Sequence, residues 1–261
     1  MPPFLYQGLL SLYRQVNKDR FLFWEVFDGD WKTAAKQCSG YEESSILEKV
    51  KDATAAVIAG KAAYEKDAVL FEKAAIHWPL VASLQHVFAQ KNQLGVVDFG
   101  GALGSTYHQH KTIFNRFHSF HWTVVEQENY VTCGKENFTT EHLSFEYDIA
   151  SAAKLSTDMI LFSCVLHYLE DPFYFIQQAI DAKIPYLMID STPFSNTVQK
   201  DIQTIQYVPS KIYKAKYPCY IFAENPFMQR LLKSYTLIWE WDNQIEINIP
   251  CRYKGMLLQL K

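Results

Sequence analysis

Apolar and polar positions change their rhythm near residue 93. Before it, Ile46, Leu47, Val50, Val57 and Ile58 recur at helical spacing behind Ser45 and Glu48, a capping-box pair. Leu80, Val81, Leu84, Val87 and Phe88 do the same behind Pro79, a residue suited to a first helical turn. Residues 1–93 are therefore expected to form a mainly helical extension that caps a larger domain. Within it, Phe21 to Phe27 is an aromatic run ended by Asp28-Gly29-Asp30-Trp31, and reads as a short strand or a surface loop.

From Leu94 on, short apolar runs alternate with helical segments. The runs are Gly95 to Phe99, Thr123 to Glu126, Leu143 to Tyr147, Met159 to Cys164, Tyr186 to Asp190, Thr236 to Trp241 and Gly255 to Leu260. Strands this apolar are buried on both faces, so the architecture predicted for residues 94–261 is α/β, a Rossmann-like sheet of mainly parallel strands between helices. Twelve residues, Asn243 to Lys254 with Pro250 among them, separate the last two runs. That is too short for a crossover helix, so the two are predicted to pair as an antiparallel hairpin at the sheet edge. From Ser191 to Ser234 a 44-residue connection rich in Tyr and Lys is expected to be a long ordered loop with a binding role.

Composition narrows the class. Apolar residues make up 49% and charged residues 20%, with no low-complexity tract, so a buried core is expected. A net charge of -3 leaves no basic excess to neutralise a phosphate backbone, and nucleic acid is not an expected partner. No stretch approaches the roughly 18 apolar residues of a membrane span. The opening MPPFLYQGLLSLYRQ is broken by Gln7 and Gly8 and does not read as a signal peptide. Cys38, Cys133, Cys164, Cys219 and Cys251 are odd in number and form no CxxC pair, which fits a reducing cytoplasm better than a disulfide frame or a zinc site.

The chemistry concentrates where Val96-Val97-Asp98-Phe99 runs into Gly100-Gly101-Ala102-Leu103-Gly104. Glycines at a strand end let the backbone turn tightly and approach a ligand closely. Counting from Gly100, a G-x-G-x-x-G dinucleotide turn requires glycine where Ala102 and Ser105 stand, and a P-loop requires a lysine between Gly104 and Ser105. Both phosphate-binding readings are weakened. Glu126 ends the next apolar run, 22 residues after Gly104, where a carboxylate can accept hydrogen bonds from both ribose hydroxyls of a nucleoside. Asp148 follows the third run, either as a contact to an adenine amino group or as the N-cap of a helix starting at Ile149.

Ser163 to Tyr168 follow the fourth run, at the carboxyl ends where open α/β sheets bind ligands. His167 is a candidate base for an acceptor hydroxyl; its other reading is a ring that orders the loop. Asp190, at the end of the fifth run, is the second candidate. Lys211 to Pro218, with Tyr213 and Tyr217, can stack on a sugar or pack its tyrosines inward as a solvated basic loop.

The turn from Asp98 to Gly104 resembles the D-x-G-x-G-x-G turn of class I methyltransferases, with Ala102 at the middle glycine. The ordered set VVDFGGALGSTY, WTVVEQENYVTCG, DMILFSCVLHYLEDP, YLMIDSTPFS and YKGMLLQL, with Trp24, the Trp31 region and Gly40-Tyr41, extends the likeness over nearly the whole chain. It resembles a bacterial family of class I methyltransferases whose genes are often met among those for O-antigen and other surface polysaccharides. The resemblance implies a Rossmann-like methyltransferase fold and S-adenosylmethionine as cofactor. It places Asp98, Phe99, Gly100, Gly101, Gly104, Glu126, Gln127, Asp148 and Ser163 on the cofactor. The expected reaction is O-methylation of a saccharide or related small molecule, with Tyr168, Tyr213 and Tyr217 on the acceptor; the family does not identify that acceptor. Ser191 stands where the family often has Arg. Two rivals remain: a non-catalytic module that keeps the fold, and a NAD-dependent sugar-modifying oxidoreductase. The second is opposed by the missing dinucleotide turn and by the lack of a Tyr-x-x-x-Lys pair, since Tyr213 is followed by Tyr217.

Overall fold

Successive side chains of the central strands point to opposite sides of the sheet, and both sides are buried. The computed structural model describes residues 22–38, 44–114, 117, 119–209, 212 and 215–261, with backbone alone at Ser44 and Ser45. The chain forms β1 (Phe23–Val26), α1 (Trp31–Ala35), α2 (Ser44–Ile58), the hairpin β2 (Tyr64–Lys66) and β3 (Val69–Phe71), and α3 (Trp78–Lys91). Next come β4 (Leu94–Phe99), α4 (Ser105–Phe114), β5 (Phe120–Val125), α5 (Glu128–Asn137), β6 (Leu143–Glu146), α6 (Ile149–Ala152) and β7 (Met159–Ser163). A 3₁₀ turn (Leu166–Tyr168), α7 (Pro172–Asp181), β8 (Tyr186–Ser195), β9 (Ile202–Val208), β10 (Ala215–Ala223), α8 (Glu224–Leu231), β11 (Tyr235–Asn243) and β12 (Arg252–Leu260) complete it.

Five parallel strands in the order β6-β5-β4-β7-β8 make the centre, and the order reverses between β4 and β7. β12 runs antiparallel to β8 and pairs with β11, the final hairpin predicted from the short Asn243 to Lys254 connection. Val96, Trp122, Val124, Leu161 and Met188 face one core with α2 and α3, whereas Val97, Val125, Ile160, Phe162 and Ile189 face the other with α6, α7 and α8. Pro79 sits in the first turn of α3, and Leu80, Leu84 and Val87 are its buried stripe. α2 begins at Ser44, so the Ser45 side chain of the expected capping box lies outside the described residues.

The structure adds strands that the hydrophobic pattern does not announce. β1, within the Phe21 to Phe27 run read as a short strand or a surface loop, is a strand and pairs with β9 at the far edge of the main sheet, so residues before 94 contribute to that sheet as well as forming helices. Much of the connection expected to be a loop is sheet: β8 runs on to Ser195, and β9 and β10 form an antiparallel pair that joins β8 through Phe222 and Ala223. Pro218 in β10 argues against a strand from sequence, but its missing N–H is harmless because at that position β10 pairs only with β9. β8 bends at Ser191, which has φ 49°, and its partner β12 shifts register at Gly255. No described helix is long and apolar enough to cross a membrane.

Candidate functional site

The turn after β4 opens beside the β4–β7 switch point, where a doubly wound sheet leaves a crevice. Gly100 and Gly104 take left-handed backbone angles, φ 76° and 87°, as the spacing of the motif demands. Ala102, at the position of the replaced glycine, adopts φ 51° as well. The backbone therefore keeps the glycine conformation although the side chain does not favour it, a strain of about 1–2 kcal/mol. Ala102→Gly is expected to raise stability by about 0.5–1 kcal/mol after the greater flexibility of glycine in the unfolded chain is offset. A urea midpoint unchanged or lowered would show that residue 102 is not strained.

Two carboxylates flank the turn. Asp98 is 1% exposed and accepts from Trp122 Nε1 at 3.2 Å. Burial pushes its carboxyl up to about 7, the Trp122 bond opposes this, and the charge of Glu126 adds to it. Glu126, just past β5, is partly exposed; burial raises it to about 6, while the backbone N–H groups of Gln127 and Ala102 hold it down. The Gln127 N–H lies 2.7 Å from Oε2. Gly100 N donates to Val125 O at 2.9 Å, which sets Glu126 beside the Gly-rich turn, as expected for two parts of one nucleoside site. Gln127 is exposed at the start of α5. Phe99 turns its half-buried ring onto Phe162 and Phe175, with centroids 5.2 and 4.7 Å away.

Asp148 caps α6: its carboxylate accepts from Ser151 N at 2.7 Å and from Ser151 Oγ at 3.0 Å. Of the two roles open for it in sequence, this is the one with observed partners. His167 lies in the 3₁₀ turn, fully buried, with its ring 4.1 Å from that of Tyr168 and edge-on to Tyr253 at 6.2 Å. Neither ring nitrogen has a hydrogen-bond partner among the described residues, and burial lowers its pKa to about 3. It is neutral at physiological pH, but so weak a base, sealed from solvent, is poorly suited to take a proton. Tyr168 donates to Gln206 Oε1 at 2.8 Å and meets the Tyr217 ring edge-on at 6.0 Å. Tyr213 lies outside the described residues.

Asp190, at the C-terminal end of the parallel half of β8, is 3% exposed and surrounded by donors. Trp241 Nε1 and Asn243 Nδ2 both reach Oδ1 at 3.0 Å. Ser191 Oγ and Ser163 Oγ reach Oδ2 at 3.0 and 3.4 Å. His77 Nε2 stands 3.1 Å from the same oxygen, close enough for charge pairing although the ring is turned off the hydrogen-bond line. Burial alone raises the Asp190 carboxyl, but His77, Asn243 and Ser191 outweigh it and hold the pKa below the ordinary value. Asp190 is accordingly ionised and fully engaged.

The hairpin β2–β3 is the other feature unseen in sequence. Buried Glu65 accepts from Ser105 Oγ, on the first residue of α4, and from Ala68 N at 3.1 Å. This clamps the hairpin beside Gly104. Lys66, at its tip, interacts electrostatically with Asp67, Cys164 and Asp190. Among the described residues no group of three or more His, Cys, Asp or Glu is arranged to hold a metal ion.

No family model matches the chain, and no curated protein matches its sequence. Three solved methyltransferase structures are similar to it, each at a TM-score under 0.5. A SAM-dependent methyltransferase from Methanosarcina mazei is 11% identical, covering 70% of this chain and 97% of its own, at a TM-score of 0.49. The N-methyltransferase NodS from Bradyrhizobium japonicum WM9 is 16% identical over 70% of this chain and 94% of its own, at 0.42. Magnesium protoporphyrin IX methyltransferase from Synechocystis PCC 6803, with bound SAH, is 14% identical over 97% of this chain and 94% of its own, at 0.44. At these identities and scores the likeness assigns no substrate. The fold itself is the Rossmann-like α/β sheet with a terminal antiparallel hairpin that the sequence resemblance implies.

Proposed function

We propose that the chain is an S-adenosylmethionine-dependent methyltransferase that methylates a hydroxyl of a saccharide or related small molecule. The observation that carries this reading is the placing of Glu126 beside the Gly-rich turn at the carboxyl ends of β4 and β5, where Gly100 N donates to Val125 O at 2.9 Å. There Glu126 would accept from the ribose hydroxyls, with Gln127 beside it. Gly100, Gly101 and Gly104 would let the backbone approach the methionine part next to Asp98 and Phe99. Asp148 and Ser163 complete the proposed cofactor set. When bound, the cofactor supplies a methyl group already activated on a sulfonium. The protein's share is to orient the acceptor and keep water out, which can supply on the order of 7–11 kcal/mol.

Residues 1–93 serve in this reading as a cap over the ligand face of the domain at 94–261, and Tyr168 and Tyr217, with Tyr213, as the acceptor wall. Five free cysteines fit a cytoplasmic enzyme, and the charge of -3 fits a small-molecule acceptor better than nucleic acid. The resemblance to a family met among surface-polysaccharide genes favours a role in polysaccharide biosynthesis.

The test is calorimetric titration with S-adenosylmethionine, S-adenosylhomocysteine and NAD. The first two are expected to bind and NAD not; equal binding of NAD would overturn the reading. Glu126→Ala is expected to weaken S-adenosylhomocysteine by about 1–3 kcal/mol, the loss of charge-assisted hydrogen bonds to ribose, which is roughly fivefold to more than a hundredfold in Kd. An unchanged Kd would remove Glu126 from the site.

A further inference from the structure

Asp190 has no free acceptor direction of its own to offer a substrate. Its carboxylate takes donors from β7 (Ser163), from its neighbour Ser191 and from β11 (Trp241 and Asn243), which fixes it in space as a buried anion. Beside it stands a more exposed histidine. The His77 side chain is 30% exposed where that of Asp190 is 4%. Although the ring is off the hydrogen-bond line, an ionised carboxylate 3.1 Å from Nε2 favours the proton on that nitrogen, which leaves the Nδ1 lone pair bare. No hydrogen bond is formed to Nδ1 among the described residues.

The backbone of His77 is held as well as its ring. The residue is the N-cap of α3, and its N–H donates to His110 Nε2 at 3.0 Å. His110 lies 2.9 Å from the Thr106 carbonyl through Nδ1, so its proton sits there and Nε2 is free to accept. Burial keeps His110 weakly basic and neutral, the state this latch requires. A helix of the cofactor half of the domain, α4, thereby locks a residue from the proposed cap onto a strand end of the sheet.

We propose that His77 is the base that takes the proton from the acceptor, that Asp190 and His110 are its positioning residues, and that the acceptor is accordingly a hydroxyl. This rests on the methyltransferase reading above. An alcohol keeps its proton at neutral pH and gains from a placed base as its oxygen attacks the methyl carbon. An O–C bond forms, the S–C bond breaks with its electron pair passing to sulfur, and the hydroxyl proton passes to His77 Nδ1. An amine with a free lone pair has less need of such a group. The charged and titratable groups around the pair are Asp190 and His110, with Lys66, Asp67 and Cys164 at the hairpin tip and the end of β7.

The test uses the full chain. Long-range proton–nitrogen NMR on ¹⁵N-histidine-labelled protein, assigned with His77→Gln, is expected to show Nε2 protonated and Nδ1 bare. Asp190→Asn should release that preference, so that both ring nitrogens share the proton. Diethyl pyrocarbonate should modify His77 and spare buried His110 and His167, which a merely structural histidine would not reproduce. With labelled S-adenosylmethionine and a panel of methyl glycosides as probes, His77→Gln should lose about 10²-fold or more of the transfer rate. Its affinity for S-adenosylhomocysteine should stay within twofold of the wild type. A proton on Nδ1, a tautomer unmoved by Asp190→Asn, or a wild-type rate in His77→Gln overturns the proposal. Failure of the wild type to bind S-adenosylhomocysteine would instead overturn the methyltransferase reading, and leaves the NMR result standing by itself.

Discussion

Asp98→Asn is expected to stabilise the ligand-free protein at pH 8 by up to about 4 kcal/mol, and by much less near pH 4. The carboxyl is buried and held up to about 7 in the folded chain, against about 3.9 when unfolded. Between those values the folded state keeps a proton that the unfolded state has released, so stability falls as pH rises from about 4 to about 7. Above 7 both states are ionised and the fold carries the whole cost of a buried anion, roughly three pKa units at 1.36 kcal/mol each. Glu126, raised to about 6, adds a smaller fall in the same direction over a lower window. Asparagine is neutral at every pH and its carbonyl can still accept from Trp122 Nε1. Urea denaturation at pH 5 and pH 8 is the measurement, with the gain at pH 8 expected to exceed that at pH 5 by about 2–3 kcal/mol. Equal gains at both would mean that Asp98 is not the group whose ionisation the fold resists.

That carboxylate belongs to the part of the molecule most legible in sequence. β4, β5, β7 and β8 are buried on both faces, so their residues are apolar almost without interruption, and the Gly-rich turn and Glu126 mark where two of them end. The hairpin from β11 to β12 follows from the shortness of its connection. Asp148 is a local feature too: an Asp followed three residues later by Ser151 carries its own capping geometry. β9 and β10 were hidden because Ile202 to Val208 mixes Gln and Thr with its apolar residues and β10 contains Pro218; both strands are only partly buried and need not be wholly apolar. β2 and β3 have three residues each, too few for any period to show.

The pairing of His77 with Asp190 has no sequence signature. A single histidine before a proline-led helix resembles an ordinary N-cap, and Asp190 is 113 positions further on. Only closure of the sheet, with β11 bringing Trp241 and Asn243 over the end of β8, makes that strand end a place where a buried anion is tolerated. His167 had the better sequence position, directly after β7, yet the 3₁₀ turn directs its ring into an aromatic interior of Tyr168 and Tyr253. Sequence locates the strand end; the side-chain direction beyond it depends on how the following turn packs.

Gly255→Ala is expected to destabilise the protein by about 3 kcal/mol and to loosen Asp190 at the same time. Gly255 faces Trp241 across the final hairpin, where β12 shifts register against the bend of β8 at Ser191. A Cβ at residue 255 would lie 2.2 Å from Cε2 and 2.4 Å from Nε1 of Trp241, so the indole has to leave its place. Overpacking of this kind costs about 1–3 kcal/mol. As the ring moves, Nε1 also loses its bond to the ionised Asp190, worth about 1.5–3 kcal/mol, of which Asn243 on the same oxygen can make good a part. Trp241→Phe separates the two effects, since it keeps an aromatic ring and removes the donor alone. Its loss should be smaller, and it should share with Gly255→Ala a less firmly held Asp190. Urea denaturation gives the energies, and the His77 proton–nitrogen spectrum, changed in both variants, reports on the carboxylate. A Gly255→Ala protein of wild-type stability with an unchanged His77 spectrum would show that Trp241 is free to swing aside, and that Asp190 is held by the serines and Asn243 without it.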